Sequence, residues 1–160
     1  MRKQQGFTLI ELIIVIVILG ILAVTAAPQF MNFSSDARAS TVKGLEGSTK
    51  AASQMVHAKA LISDDRPVEI DEENTTVEIT ADTTYAAATE AGIVAALDLG
   101  GDWDNVVATA DEGNVETGDL LIYPNSVTET GDATSACFVY YRAATATTKP
   151  VISSVTSGCE

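Results

Sequence analysis

The sequence predicts an α+β fold: one long N-terminal helix, with a transmembrane half and an amphipathic half, packed on an antiparallel β-sheet head. Three observations lead there. Residues Phe7 to Ala27 are almost all aliphatic, and Leu12 to Ala27 holds no charged side chain. Apolar residues then recur at helical spacing to about Ile62. Beyond Pro67 the texture changes to short apolar runs punctuated by Gly, Asn and Asp.

The opening residues, MRKQQG, are polar and positive. A helix over Phe7–Ala27 would be about 31 Å long, close to the roughly 30 Å hydrocarbon thickness of a bilayer. Arg2 and Lys3 on its N-terminal side favour an N-in orientation, with everything after Ala27 translocated. A removable secretory signal is the rival reading, and Thr25–Ala27 offers a small-residue cleavage context. Against it, the apolar run exceeds the usual signal core and the helical pattern continues past it.

Pro28 follows, where a missing N–H and a ring clash predict a kink or break. Beyond it Phe30, Phe33, Ala37, Leu45, Ala52 and Met55 form one stripe, with Thr41 and Ser48 filling the gaps. Asp36, Arg38, Lys43, Glu46 and Lys50 lie mostly off that stripe. Gly44 and Gly47 either suit close packing against another backbone or simply weaken the helix. A helix of about 55 residues is too long for a small head to bury. Its first half must meet lipid or other copies of itself.

In the head, Thr75–Thr80 (TTVEIT) alternates as a half-buried strand does, and Ala-rich Tyr85–Leu99 reads as a helix stopped by Gly100-Gly101. Trp103–Ala110, Asp119–Pro124, Cys137–Arg142 and Pro150–Val155 are the best strand candidates. Short connections between consecutive strands predict an antiparallel sheet that covers the apolar face of the helix.

The net charge of −13, from 22 acidic and 9 basic residues, disfavours nucleic acid as a partner. One histidine, His57, offers no acid–base pair, and no nucleophile elbow, phosphate loop or dinucleotide fingerprint occurs. The expectation is a non-enzyme without cofactor or metal. The acidic stretch Asp102–Asp119 could offer oxygen ligands to Ca²⁺, but lacks EF-hand spacing and reads as solvated loop carboxylates. Trp103 with Tyr140 and Tyr141 would make either an aromatic sugar surface or, more commonly, core contacts. Cys137 and Cys159 read as free thiols in a cytosolic chain and as a disulfide behind a membrane-targeting segment.

Glu11 is the anomaly. A carboxylate at the centre of a spanning helix costs roughly 2.5–3.5 kcal/mol, less near an end. The surrounding Leu, Ile, Val and Phe residues, each worth about −0.3 to −0.6 kcal/mol, still favour insertion by a few kcal/mol. A charge kept at such a place usually has a partner. A cut between Gly6 and Phe7 would create an ammonium group able to meet Glu11 of a neighbouring helix. The bland alternative is a tolerated carboxylate near a helix end.

These residues, MRKQQ-GFTLIEL, closely resemble the type IV prepilin signature: a basic leader, Gly6 before the scissile bond, Phe7 after it and Glu11 four residues on. Within that family, the run from Ile21 to Ala52 is most similar to the mannose-sensitive haemagglutinin (MSHA) branch. The resemblance implies a leader of residues 1–6 removed by a prepilin peptidase, and N-methylation of Phe7. Residues 7–28 would be the transmembrane and filament-core helix, with Gly20 and Pro28 as its helix-breaking residues. Residues 29–62 would be the amphipathic half, and 63–160 a pilin head whose C-terminal loop is closed by Cys137–Cys159. The family forms helical homo-oligomers, extracted from inner-membrane lipid by a pilus assembly machine, with heads periplasmic before assembly and extracellular after it. Attachment to surfaces and cells is the implied function. The alternatives are a type II secretion pseudopilin, a minor pilin, or a single-pass anchor bearing a periplasmic domain.

Overall fold

Thr8 starts the long helix. Its hydroxyl accepts the Glu11 amide at 3.3 Å, while the Glu11 carboxylate accepts the Thr8 amide at 2.8 Å and hydroxyl at 2.7 Å. This capping box satisfies donors that a helix N-terminus otherwise leaves orphaned. The computed structural model describes residues 6–63, 67–70, 75–127 and 137–159, and the side chains of all of these except 27–32. Arg2 and Lys3 lie outside the described residues.

Helix α1 runs from Leu9 to Ile62, 54 residues, and ends where the Ser63 amide donates to the Lys59 carbonyl at 3.0 Å. Gly20 and Pro28 do not end it: of the kink or break expected at Pro28, a break of the helix does not occur. Proline forfeits one bond of the ladder at a cost of about 3 kcal/mol. Helical turns on both sides keep their own bonds, and no new nucleus has to form.

The apolar stripe is also placed differently from its sequence reading. The head covers Val42, Leu45, Thr49, Ala52, Ser53, Val56 and Ala60, whereas Phe33, Ala37, Thr41, Ser48 and Met55 face outward. The Phe30 side chain lies outside the described residues; among the others of the expected stripe only Leu45 and Ala52 are buried. Thr49 can be buried because its hydroxyl returns to the Leu45 carbonyl at 2.8 Å, which removes the penalty of an unpaired donor. The second half of α1 therefore has two non-polar faces, one used by the head and one left open.

Val68–Glu69 (β1) and Thr76–Val77 (β2) make a small antiparallel ribbon with Val68 opposite Val77. The main sheet comprises Trp103–Val107 (β3), Leu120–Pro124 (β4), Phe138–Arg142 (β5) and Val151–Val155 (β6), antiparallel in the order β3-β4-β5-β6. These are the four strongest strand candidates in the sequence. Leu120, Ile122, Val139 and Tyr141 point to the α1 side and join Val42, Leu45, Ala52 and Val56 in one core. Leu121, Phe138 and Tyr140 point to the other side, where Val115 from the β3–β4 connection covers them. With both faces covered, β4 and β5 read as continuous apolar runs rather than alternating ones.

Tyr85–Leu99 is not the helix its alanines suggest. Ile79 bridges Ala86, and the Ala87 amide donates to the Glu78 carbonyl at 2.8 Å, so the segment begins extended. Only Glu90–Val94 is a short helical turn, with Gly92 at non-helical φ −92°, ψ −112°. A Cβ on Gly92 would lie 2.2 Å from the Ala87 carbonyl oxygen, so this fold of the chain requires glycine. Here close backbone packing overrides local helix propensity.

Candidate assembly site

Among the described residues, nothing else in the chain packs over the first half of α1. Leu9–Ala26 is long and apolar enough to cross a membrane, and none of it is buried against the head. Leu9, Val17, Leu19 and Leu22 each expose more than half of their surface. In water such a face would cost roughly 25 cal/mol per Å² of apolar surface, so it needs lipid or protein cover. Glu11 sits at its start, and both bonds from Thr8 fall on one carboxylate oxygen, Oε2. Its second oxygen has no bonded partner among the described residues. The T-x-x-E spacing of Thr8 and Glu11 was available in the sequence as a capping box, and it assigns Glu11 a local task that the charge argument alone missed.

Gly6 and Phe7 precede the helix, and Phe7 is 89% exposed, so the Gly6–Phe7 bond lies in non-helical chain at the helix mouth. Gly20 stands in the exposed stretch with open space where a side chain would be.

The second half of α1 is tied firmly to the head. Glu46 accepts the Ser154 hydroxyl of β6 at 2.6 Å and pairs with Lys50 one turn on. Lys50, then Ser154, hold the Glu46 carboxyl below its ordinary range. His57 stacks flat on Tyr85, with ring centroids 4.1 Å apart, and its Nδ1 lies 2.7 Å from the Thr84 hydroxyl. His57 is thus a helix–head contact. Tyr141 donates to the Ala86 carbonyl at 2.8 Å, and burial pushes its phenol up to about 12.

Cys137 and Cys159 are joined in a disulfide with Cα atoms 4.8 Å apart, both buried in the main core. The bond closes the open end of the β5–β6 hairpin, next to the Phe138–Val155 pair. In the Asp102–Asp119 stretch the carboxylates of Asp111, Glu116 and Asp119 are engaged internally. Asp119, 2% exposed, takes both Nε and Nη2 of Arg142 at 2.9 and 2.8 Å, and Glu116 takes Nη1 at 2.7 Å. Asp111 accepts the Thr117 amide at 2.6 Å and its hydroxyl at 2.8 Å, and that amide holds Asp111 below its usual range. Among the described residues no group of three His, Cys, Asp or Glu is arranged to hold a metal ion. Tyr140 and Tyr141 lie on opposite sheet faces, Tyr141 fully buried, so with Trp103 they form no common sugar surface.

The comparisons agree with this geometry. Residues 1–27 match the family model described as the prokaryotic N-terminal methylation motif. The type IV major alpha-pilin of Moraxella bovis is 35% identical over 124 residues, 75% of this chain and 76% of that protein. A fimbrial protein of Pseudomonas aeruginosa is 39% identical over 71 residues, 42% of this chain and 45% of the relative. The type II secretion system core protein G of Pseudomonas aeruginosa is 51% identical over only 43 residues, 27% of this chain and 30% of its own. No solved structure matches the chain. A methylation motif at the start, an uncovered apolar helix, a disulfide-closed α+β head and a pilin relative matched along three quarters of both chains place this protein in the type IV pilin family.

Proposed function

We propose that the chain is a structural, non-enzymatic subunit of an MSHA-like type IV pilus that serves surface attachment and cell adhesion. The observation that carries this reading is the apolar Leu9–Ala26 half of α1, uncovered in a chain whose other helical half is bound to a folded head. Before assembly the apolar half lies in the inner membrane with the head periplasmic. After extraction by the pilus assembly machinery it lies among copies of itself in an extracellular filament. The longer match to a pilin than to the secretion core protein, together with the C-terminal disulfide, favours this reading over a pseudopilin.

In this proposal a prepilin peptidase cuts between Gly6 and Phe7 and the new Phe7 terminus is methylated. Mass spectrometry of the protein from its own cells is expected to show loss of Met1–Gly6 and one added methyl group on Phe7. A full-length chain, or one cut near Ala27, would overturn it.

Glu11 would pair with the Phe7 ammonium of a neighbouring subunit and so select the axial stagger of the helices. Since Glu11 also caps its own helix, Glu11→Ala removes two functions, the cap being worth about 1 kcal/mol. Glu11→Gln keeps an acceptor for Thr8 and removes only the charge. Both variants are expected to enter the membrane normally and to yield few filaments by electron microscopy. Wild-type filament numbers from Glu11→Gln would rule out the ion pair.

A further inference from the structure

Where α1 meets the β5–β6 turn, the head carries two hollows that join. One, of about 430 Å³, is lined by Lys50, Ser53 and Gln54 of α1 and by Lys149 and Ile152 at the start of β6. The other, of about 450 Å³, is lined by His57, Asp82 and Thr84 together with Thr145, Thr147 and Lys149. Tyr85 and Lys149 belong to both, so the two halves make one cleft. Each half falls in the roughly 300–1,000 Å³ range of small-ligand sites.

The charge of the first hollow runs against that of the chain. The protein has 22 acidic residues against 9 basic ones. Yet among the described residues two lysines and no Asp or Glu line this hollow. Lys50 is shared with Glu46 on its own helix. Lys149 makes no hydrogen bond or ion pair among the described residues. A concave site lined by one sign of charge concentrates ligands of the other.

Ser53 is a second, independent sign. On the same half of α1, Ser40, Thr41, Ser48 and Thr49 each donate to the carbonyl four residues back. Ser53, 1% exposed, does not. Its hydroxyl lies beside the Tyr141 phenol, whose proton goes to the Ala86 carbonyl, and lacks the geometry of a hydrogen bond. Buried polar groups normally have a partner, and an orphan on the wall of a hollow calls for one from outside the chain.

The second hollow has a different chemistry. The Thr145 hydroxyl accepts the Thr147 and Thr148 amides at 3.3 and 3.1 Å, which fixes the turn. His57 spends Nδ1 on Thr84 and leaves Nε2 unbonded among the described residues. Asp82, at φ 59°, adds a carboxylate. Hydroxyls, an imidazole nitrogen and a carboxylate together match the several O–H groups of a sugar. Asp82 also repels an anion, so the charged end of a ligand belongs at Lys149 and Lys50.

We propose that this cleft binds an acidic oligosaccharide. Its carboxylate accepts from Lys149 and Lys50 in the hollow walled by Ser53, and a neutral sugar ring fills the hollow between His57, Asp82 and Thr147. The inference names a ligand class for the attachment reading above and rests on it.

The test is an NMR titration of the full-length protein in a sugar-free detergent, with sialyllactose as the probe and lactose as its neutral counterpart. Sialyllactose should bind and shift the signals of Ser53, Gln54 and Thr147, with lactose about tenfold weaker or worse. Lys149→Gln should weaken sialyllactose about tenfold, the loss of one charge-assisted hydrogen bond. It should leave the head's thermal midpoint and the number of filaments unchanged, since Lys149 holds nothing among the described residues. No binding, equal binding of the two sugars, undiminished affinity in Lys149→Gln, or displacement of sialyllactose by a DNA duplex would overturn the site and leave the filament reading standing. Loss of filaments in Lys149→Gln would give the cleft to subunit contacts and overturn the site as well. An unsubstituted chain that never polymerises would overturn the filament reading whatever the titration shows.

Discussion

Replacing Arg142 with Met is expected to destabilise the head by about 3–5 kcal/mol, measured by denaturant unfolding of the full chain in detergent. The magnitude follows from Asp119. Its carboxylate is 2% exposed and its charge is met by the two-pronged Arg142 contact, with the Glu116 amide adding one bond at 2.8 Å. Removing the guanidinium strands a buried anion, and the remaining amide cannot neutralise it. Arg142→Lys should fall between, because an ammonium keeps the charge but not the fork. The double variant Asp119→Leu with Arg142→Met should recover most of the loss, since it removes both charges together. Hydrogen exchange should localise the damage to the β3–β4 connection, where Arg142 also holds Glu116 and the Asn114 carbonyl. That connection carries Val115 onto Phe138 and Tyr140, so loosening it uncovers the outer sheet face. A single variant as stable as the unsubstituted protein would show that the pair contributes nothing net.

Much of this architecture is legible in the sequence, and the exceptions have physical causes. The spanning helix and the four main strands announce themselves because long apolar runs and short β-branched or aromatic segments between turn residues have few alternative uses. Tyr85–Leu99 misleads because alanine favours helix locally, yet its small size also lets Ala86, Ala87 and Gly92 pack backbone on backbone. The stripe on α1 reads onto the wrong face for a related reason. Phe33 and Met55 are the larger apolar side chains and attract the eye, but the head packs on the smaller Val42, Ala52 and Val56. Composition cannot say which of two apolar faces is taken within the chain and which is kept for outside contacts. Glu11 shows the same ambiguity at the scale of one residue: as a charge it points to a distant partner, and its spacing from Thr8 points to its own helix end. The Asp119–Arg142 pair, 23 residues apart, was invisible because no local pattern links an acidic loop to the last residue of a strand.

Substituting both Cys137 and Cys159 with Ala is expected to cost about 3 kcal/mol, from the loop entropy returned to the unfolded chain. The two residues are separated by 22 positions, and the loop they close contains all of β5 and β6. Among the described residues β6 is an edge strand, with a ladder partner on one side only. The disulfide fastens it at the Val155 end, and Ser154 fastens it to Glu46 of α1. Loss of the covalent bond should therefore act unevenly. Hydrogen exchange in β6 should rise first, ahead of β4, which is paired on both sides. Reduction of the unsubstituted protein should reproduce the same pattern, which separates the lost bond from the changed side chains. If the double variant kept the unfolding midpoint of the oxidised protein and the exchange rates of β6, the clasp would be dispensable. The hairpin would then be held by its ladder and by the core contact of Val139 and Tyr141 with α1. A pilin head with a small core is expected to depend on the bond, because burial alone leaves such heads only marginally stable.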